Sequence, residues 1–219
     1  MTDISDPQMG ETAPPRRTAT TRQAEYWSGP DGDQYHDRQT VPVDANMEFF
    51  ARVFTRCEAQ SFLEFGCGAG LNLEALSIWD MGPDLVLTGL EINPRAAERA
   101  RHWGEVDVVD ITEPLADPRQ AEVTFTKGVL IHVPDDRLKQ TAQNLVDCST
   151  KWIMVAEYYS PTPREIRYRD QDGLCWARDY AGLIKAVDPT LQLVDYGFHS
   201  RYDEHPQDDI TWFLFKKRQ

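Results

Sequence analysis

The chain has no apolar run approaching the roughly 20 residues that a helix needs to cross a bilayer. It also lacks the apolar N-terminal core that directs secretion. A cytoplasmic protein with no membrane partner is therefore expected. Positive charge is scarce, with 23 Lys and Arg against 36 Asp and Glu and a net charge of −13. A surface of that sign repels phosphate backbones, so neither DNA nor RNA is an expected partner. The one basic cluster, Lys216–Arg218, reads as a solvated strand end. Cysteine is sparse and scattered. Cys57, Cys67, Cys148 and Cys175 form no C-x-x-C pair, which argues against structural zinc and a redox dithiol, and no metal is expected.

What remains is a chain of 219 residues, enough for one α/β domain with a full core and a tail. Residues 1–23 carry Pro7, Pro14 and Pro15 and almost no large apolar side chains, so a flexible tail is expected there. A single domain is expected over residues 24–219, with a lid and helix at 24–60 and an insertion at 158–176.

The stretch Ser61–Asn72, SFLEFGCGAGLN, organises the rest. Phe62, Leu63 and Phe65 read as a buried parallel strand. Gly66, Cys67, Gly68, Ala69 and Gly70 make a tight turn, and Leu71, Ala75, Ile78 and Trp79 follow at helical spacing. Strand, glycine turn and helix form the unit that binds an adenosine-containing ligand at the carboxyl edge of a doubly wound sheet. Two acids sharpen this reading. Glu64 lies inside the strand, where a bare carboxylate is costly, so backbone N–H groups or a cationic ligand group should hold it. Glu91 ends the next apolar run, Leu85–Leu90, at the spacing from which an acid takes both ribose hydroxyls. A dinucleotide-binding fingerprint would need its third glycine at Leu71. Cys67 reads as a small packing residue.

Further strands are expected at Val106–Val109, Glu122–Thr126, Lys151–Ala156, Leu191–Tyr196 and Thr211–Phe215, the last two as an antiparallel hairpin. Helices are expected at Ala45–Glu58, Pro94–Trp103, Asp135–Cys148 and Ala177–Val187. Glu25–Gln39, EYWSGPDGDQYHDRQ, mixes aromatics with glycines, and two readings stay open for it: a surface cap, or a lid that excludes water. Seven strands with helices between them give an α/β, Rossmann-like sheet.

Five stretches carry a resemblance to a known family: EYWSGPDGDQYHDRQ (25–39), FLEFGCGAGLN (62–72), TGLEIN (88–93), FTKGVLIHVPDD (125–136) and AEYYSPTPREIRYR (156–169). Together they resemble class I S-adenosylmethionine (SAM) methyltransferases, and within them the pseudaminic acid biosynthesis-associated methylases. Gln39 departs from that group, where asparagine is expected. The resemblance implies a seven-stranded class I methyltransferase sheet with helices on both faces, SAM as cofactor and S-adenosylhomocysteine as product. It implies a cofactor site of Trp27, Tyr35, Arg38, Glu64, Gly66, Cys67, Gly68, Gly70, Asn72, Glu91, Ile92, Asp110, Ile111, Lys127 and Gly128. In it Glu64 orients the ammonium, Glu91 takes the ribose, and Asp110 takes the adenine amine between Ile92 and Ile111. Arg38 or Tyr35 is expected to take the cofactor's carboxylate.

Catalysis is assigned to His132 and Glu157, and acceptor binding to Tyr35, His132, Glu157, Tyr158, Tyr159, Tyr168 and Arg169. His132 reads either as a helix-entry residue or as the base that takes the acceptor's proton. Glu157 is expected to hold a cationic acceptor. A small polar metabolite is the expected substrate, methylated on nitrogen (an amine, guanidine or amino sugar), with a sugar or carboxylate oxygen as the alternative. The chain lacks the Asn/Asp-Pro-Pro-Tyr sequence of DNA adenine methylases. The rival classes are a nicotinamide-dependent oxidoreductase and a silent methyltransferase-like subunit. A monomer or homodimer is expected.

Overall fold

The computed structural model describes residues 21–79, 82 and 84–218. The expected tail lies outside these residues except for Thr21, Arg22 and Gln23, which begin the first helix.

Two short helices open the described chain, α1 (Arg22–Ser28) and α2 (Pro30–Arg38). Sequence reasoning put glycine turns here. Local signals explain the helices: the Thr21 hydroxyl accepts from Ala24 N–H, and Pro30 occupies the first turn of α2, where its missing N–H costs nothing. Gly32 sits inside α2 because a Cβ there would strike the Trp27 carbonyl. The longer α3 (Val43–Phe54) buries Phe49, Phe50, Val53 and Phe54 on one stripe. Pro42 stands at its N-cap position, with no side-chain capping bond.

The remaining elements alternate. They are β1 (Ser61–Phe65), α4 (Leu71–Ile78), β2 (Val86–Glu91), α5 (Pro94–Ala100), β3 (Glu105–Val108) and β4 (Ala121–Lys127). A single 3₁₀ turn, Leu130–His132, leads into α6 (Asp135–Asp147) and β5 (Ser149–Glu157). Then come β6 (Arg164–Glu165), β7 (Trp176–Ala177), α7 (Tyr180–Val187), β8 (Gln192–His199) and β9 (Ile210–Lys216).

The main sheet has seven strands in the order β3-β2-β1-β4-β5-β9-β8. The first five are parallel, β9 runs antiparallel to β5, and β8 pairs antiparallel with β9. The expected α/β, Rossmann-like seven-stranded sheet is thus the observed one. Phe62 packs with α3 and α4 on one face, and Leu63 and Phe65 pack with α6 and α7 on the other. Burial of β1 on both faces is why its sequence is a near-continuous apolar run. The strand order reverses between β1 and β4, which opens a crevice at their carboxyl ends.

Candidate functional site

A cavity occupies that crevice. Its floor is the turn after β1. Gly66 and Gly68 have φ of 73° and 54°, a left-handed geometry that side chains other than glycine rarely adopt. At Gly66 a Cβ would also lie 2.7 Å from the Val129 side chain. Cys67 fits here as a packing residue: it is buried, and a Cβ on Gly89 would lie 2.6 Å from its sulfur. Burial pushes its thiol well up, so it carries no nucleophilic thiolate.

Glu64 is 1% exposed. Its Oε1 accepts from the Asn72 side chain at 2.6 Å. Its Oε2 is buried with no partner among the described residues. Burial pushes Glu64 up to about 8, against the opposing pull of Asn72 and Lys127. Glu91 is equally buried, and each of its oxygens accepts one backbone N–H: Gly68 at 2.7 Å and Asn93 at 2.8 Å. It is raised by burial and held back by those donors. Asp110 closes its own turn, with Oδ1 accepting from Thr112 N–H at 2.9 Å and from its hydroxyl at 2.7 Å.

These three acids line the cavity together with Trp27, Tyr35, Gly66, Cys67, Gly68, Asn72, Ile92, Ile111, Lys127, Gly128 and His132. The helices α1 and α2 roof it. Trp27 lies 4.5 Å ring to ring from His132 and 5.1 Å from Tyr35. The roof is tied down at both ends. Asn93 donates to the Trp27 carbonyl at 3.0 Å and to Asp33 at 2.9 Å, and Arg95 makes a two-pronged pair with Asp37 at 3.0 Å. Arg22 and Gln23 donate to the Asp172 and Gly173 carbonyls at 2.9 and 2.8 Å.

His132 donates from Nδ1 to the Leu174 carbonyl at 2.6 Å, since a carbonyl can only accept. Its Nε2 therefore carries the lone pair. Burial lowers His132 to about 4, so the ring is neutral at physiological pH. Lys127, at the end of β4, donates to Gln207 Oε1 at 2.6 Å and Asn46 Oδ1 at 3.2 Å. Burial lowers it to about 8.

Several expected residues stand elsewhere. Arg38 is exposed at the last turn of α2 and does not line the cavity, so it is not placed to take a ligand carboxylate. Gly70 is the left-handed cap of α4, packed against Ala100, one layer below the cavity. Glu157 is the largest correction. It is 1% exposed, and its carboxylate accepts from the backbone N–H groups of Val129, Leu130 and Ile131 at 3.1–3.3 Å. It caps the turn that carries His132, and it is not free to hold a cationic acceptor. Tyr158 donates to Asp208 at 2.8 Å, and Tyr159 is exposed against Phe213; neither lines the cavity.

Tyr168 sits behind Trp27 and His132, at 6.2 and 4.9 Å. Arg169 and Asp170 form a left-handed turn, at φ 49° and 60°. The Arg169 guanidinium lies 5.3 Å from both the Tyr35 and the Tyr168 rings, outside the cavity wall.

His36 and Asn46 are cavity residues that sequence reasoning missed. The His36 ring lies against Gly68, buried, with no partner for Nδ1 among the described residues. Burial, reinforced by Arg99, lowers it to about 4. A histidine in a roofing helix beyond Trp27 was the available signal, but it requires knowing that residues 30–38 are helical. Among the described residues no group of three or more His, Cys, Asp or Glu is placed to hold a metal ion. No described helix is long and apolar enough to cross a membrane.

No protein-family model matches the chain, and no curated protein matches it in sequence. Solved structures match it in fold. The N-methyltransferase NodS of Bradyrhizobium japonicum, in complex with S-adenosylhomocysteine, aligns with a TM-score of 0.63 at 15% identity, over 92% of this chain and 100% of that one. The 1,6-didemethyltoxoflavin-N1-methyltransferase of Burkholderia thailandensis, with its substrate and S-adenosylhomocysteine bound, gives 0.64 at 16% identity, over 97% and 94%. Magnesium protoporphyrin IX methyltransferase from Synechocystis, with SAM bound, gives 0.63 at 12% identity, over 92% and 100%. At such identities the likeness is one of architecture, and this chain has the α/β fold of the class I SAM-dependent methyltransferases.

Proposed function

We propose that this protein is a SAM-dependent methyltransferase acting on a small polar metabolite. The observation that carries the proposal is Glu64 Oε2, a buried acceptor with no partner among the described residues, beside a glycine turn that a side chain would fill. A buried acid left half-satisfied is costly unless a cationic group completes it. The α-ammonium of SAM is such a group. Glu91 offers its remaining lone pairs to the ribose, and Asp110 Oδ2 is left to accept from the adenine amine between Ile92 and Ile111. The three methyltransferases of the same fold bind this cofactor or its product.

Bound there, SAM would supply an electrophilic methyl group on its sulfonium, with S-adenosylhomocysteine as the leaving group. The chain's own work is alignment and proton handling. Trp27 and Tyr35 exclude water from above. His132 Nε2 takes the proton that the acceptor loses, a role its neutral state and fixed tautomer allow. A neutral nitrogen acceptor suits this base best, and a sugar or carboxylate oxygen is the second reading. The resemblance to the pseudaminic acid-associated methylases supports a biosynthetic setting for either.

Calorimetry is expected to show S-adenosylhomocysteine binding and no heat with NADH. The reverse would make the chain an oxidoreductase, and binding without any transfer would leave a silent subunit. Hydrogen exchange provides a second check. The roof packs directly on the cavity, so S-adenosylhomocysteine should slow exchange across Trp27–Arg38. Unchanged exchange there would make α1 and α2 a surface cap.

A further inference from the structure

Lys127 is a half-buried ammonium in the cavity wall, with no carboxylate at ion-pair distance among the described residues. Its two hydrogen-bond partners, Asn46 and Gln207, offer neutral amide oxygens. Among the described residues it forms no ion pair within 4.0 Å. The carboxylates that act on it from further away are Glu64, Asp208 and Glu157, and each is engaged. Glu157 is taken by three backbone N–H groups. Asp208 accepts from Tyr158. Glu64 bonds Asn72 through one oxygen, and the other is the acceptor assigned to the cofactor's ammonium.

A cofactor sulfonium would add a second positive charge to this cavity. Two cations in a low-dielectric space repel strongly, and an anion between them relieves both. Gln207 presents its carbonyl to Nζ, which leaves its amide Nε2 buried and unpartnered among the described residues. The reverse orientation of that amide would set its N–H groups against the ammonium. An ammonium at the cavity wall with a spare N–H is a donor suited to an oxyanion.

We propose that Lys127 anchors an anionic group, a carboxylate or a phosphate, carried by the methyl acceptor. The inference rests on the methyltransferase reading and extends it to the acceptor's chemical class. The methyl-accepting atom is then a nucleophile on an acid-bearing metabolite, or the carboxylate oxygen itself. In the second case no proton leaves, and His132 only shapes the cavity. A cationic acceptor, the choice made from sequence, is disfavoured by the same charge.

The test uses the full-length protein saturated with S-adenosylhomocysteine, whose binding is measured first. Absence of that binding would sink the methyltransferase reading, and it is distinguishable from a failure of the saturated complex to bind an anion. Lysine is labelled at Cε, and the Lys127 signal, assigned with Lys127→Met, is followed as acetate, inorganic phosphate or acetamide is added. A saturable shift with acetate or phosphate and none with acetamide is expected, and the stronger anion identifies the group. In Lys127→Met, anion binding to the saturated complex, followed by calorimetry, should weaken at least tenfold. Lys127→Arg should retain it within a few-fold. Binding should also fade as pH rises past about 8, where Lys127 loses its proton. Equal responses to acetate and acetamide, no saturable response to either anion, or undiminished anion binding in Lys127→Met would each overturn the proposal. Should Lys127→Met fail to fold by circular dichroism, the wild-type comparison and Lys127→Arg decide alone.

Discussion

Replacing Glu91 by alanine is expected to weaken cofactor binding and to destabilise the domain in the same step. Glu91 accepts from Gly68 N–H at 2.7 Å and from Asn93 N–H at 2.8 Å while buried at the end of β2. Truncation leaves both donors without an acceptor. Hydrogen bonds to a charged group are worth about 1.5–3 kcal/mol each, so losing two should cost about 3–6 kcal/mol in urea unfolding. The ribose hydroxyls lose their acceptor as well, for a further loss of about 1–3 kcal/mol in S-adenosylhomocysteine affinity, read by calorimetry on the folded fraction. A variant that is less stable but binds with undiminished affinity would show that Glu91 only braces the glycine turn.

Glu157→Ala should have the second large effect, and chiefly on the fold. Three N–H groups, on Val129, Leu130 and Ile131, converge on this one carboxylate. Losing it strands three donors inside the protein, for about 3–5 kcal/mol. Glu157→Gln keeps an acceptor and should cost less, about 1–2 kcal/mol.

The pH dependence separates the two effects. Burial raises Glu157 from 4.5 to about 7, so the folded protein holds a proton that the unfolded chain releases. The contribution of Glu157 is complete below about pH 4.5 and is lost as pH climbs through about 7. Glutamine does not titrate. The stability advantage of wild type over Glu157→Gln should therefore shrink between those values. An advantage that stays flat or grows with pH would mean that the backbone donors outweigh burial and keep the group ionised.

The sequence by itself determined the sheet and marked most of the residues that line the glycine-turn end of the cavity. Local chemistry carries both. A strand buried on two faces reads as a near-continuous apolar run, which marked β1 and β5. A turn needing left-handed φ must use glycine, which marked Gly66 and Gly68. An acid inside an apolar strand has no local reason to exist, which marked Glu64. The helical nature of residues 22–38 was less legible, because two short helices broken at Gly29–Pro30 carry too little periodicity to stand out from turns.

Only the tertiary structure decided which polar groups at the acceptor end are free. Glu157, Tyr158 and Lys127 all lie at strand ends on the same edge, and in sequence each is equally available. In the folded chain the turn after β4 passes over Glu157 and consumes its oxygens, while Asp208, fifty residues further on, reaches Tyr158. Lys127 meets neutral amide oxygens from α3 and from the segment before β9, and the face of the Phe49 ring at 5.4 Å. Arg38 points away because α2 turns its acidic and basic side chains toward Arg95 and Arg99 and into solvent, and gives the cavity His36 instead. A hydrogen-bond partner is a matter of position in space, and for these residues the deciding neighbours lie 26 to 81 positions away along the chain.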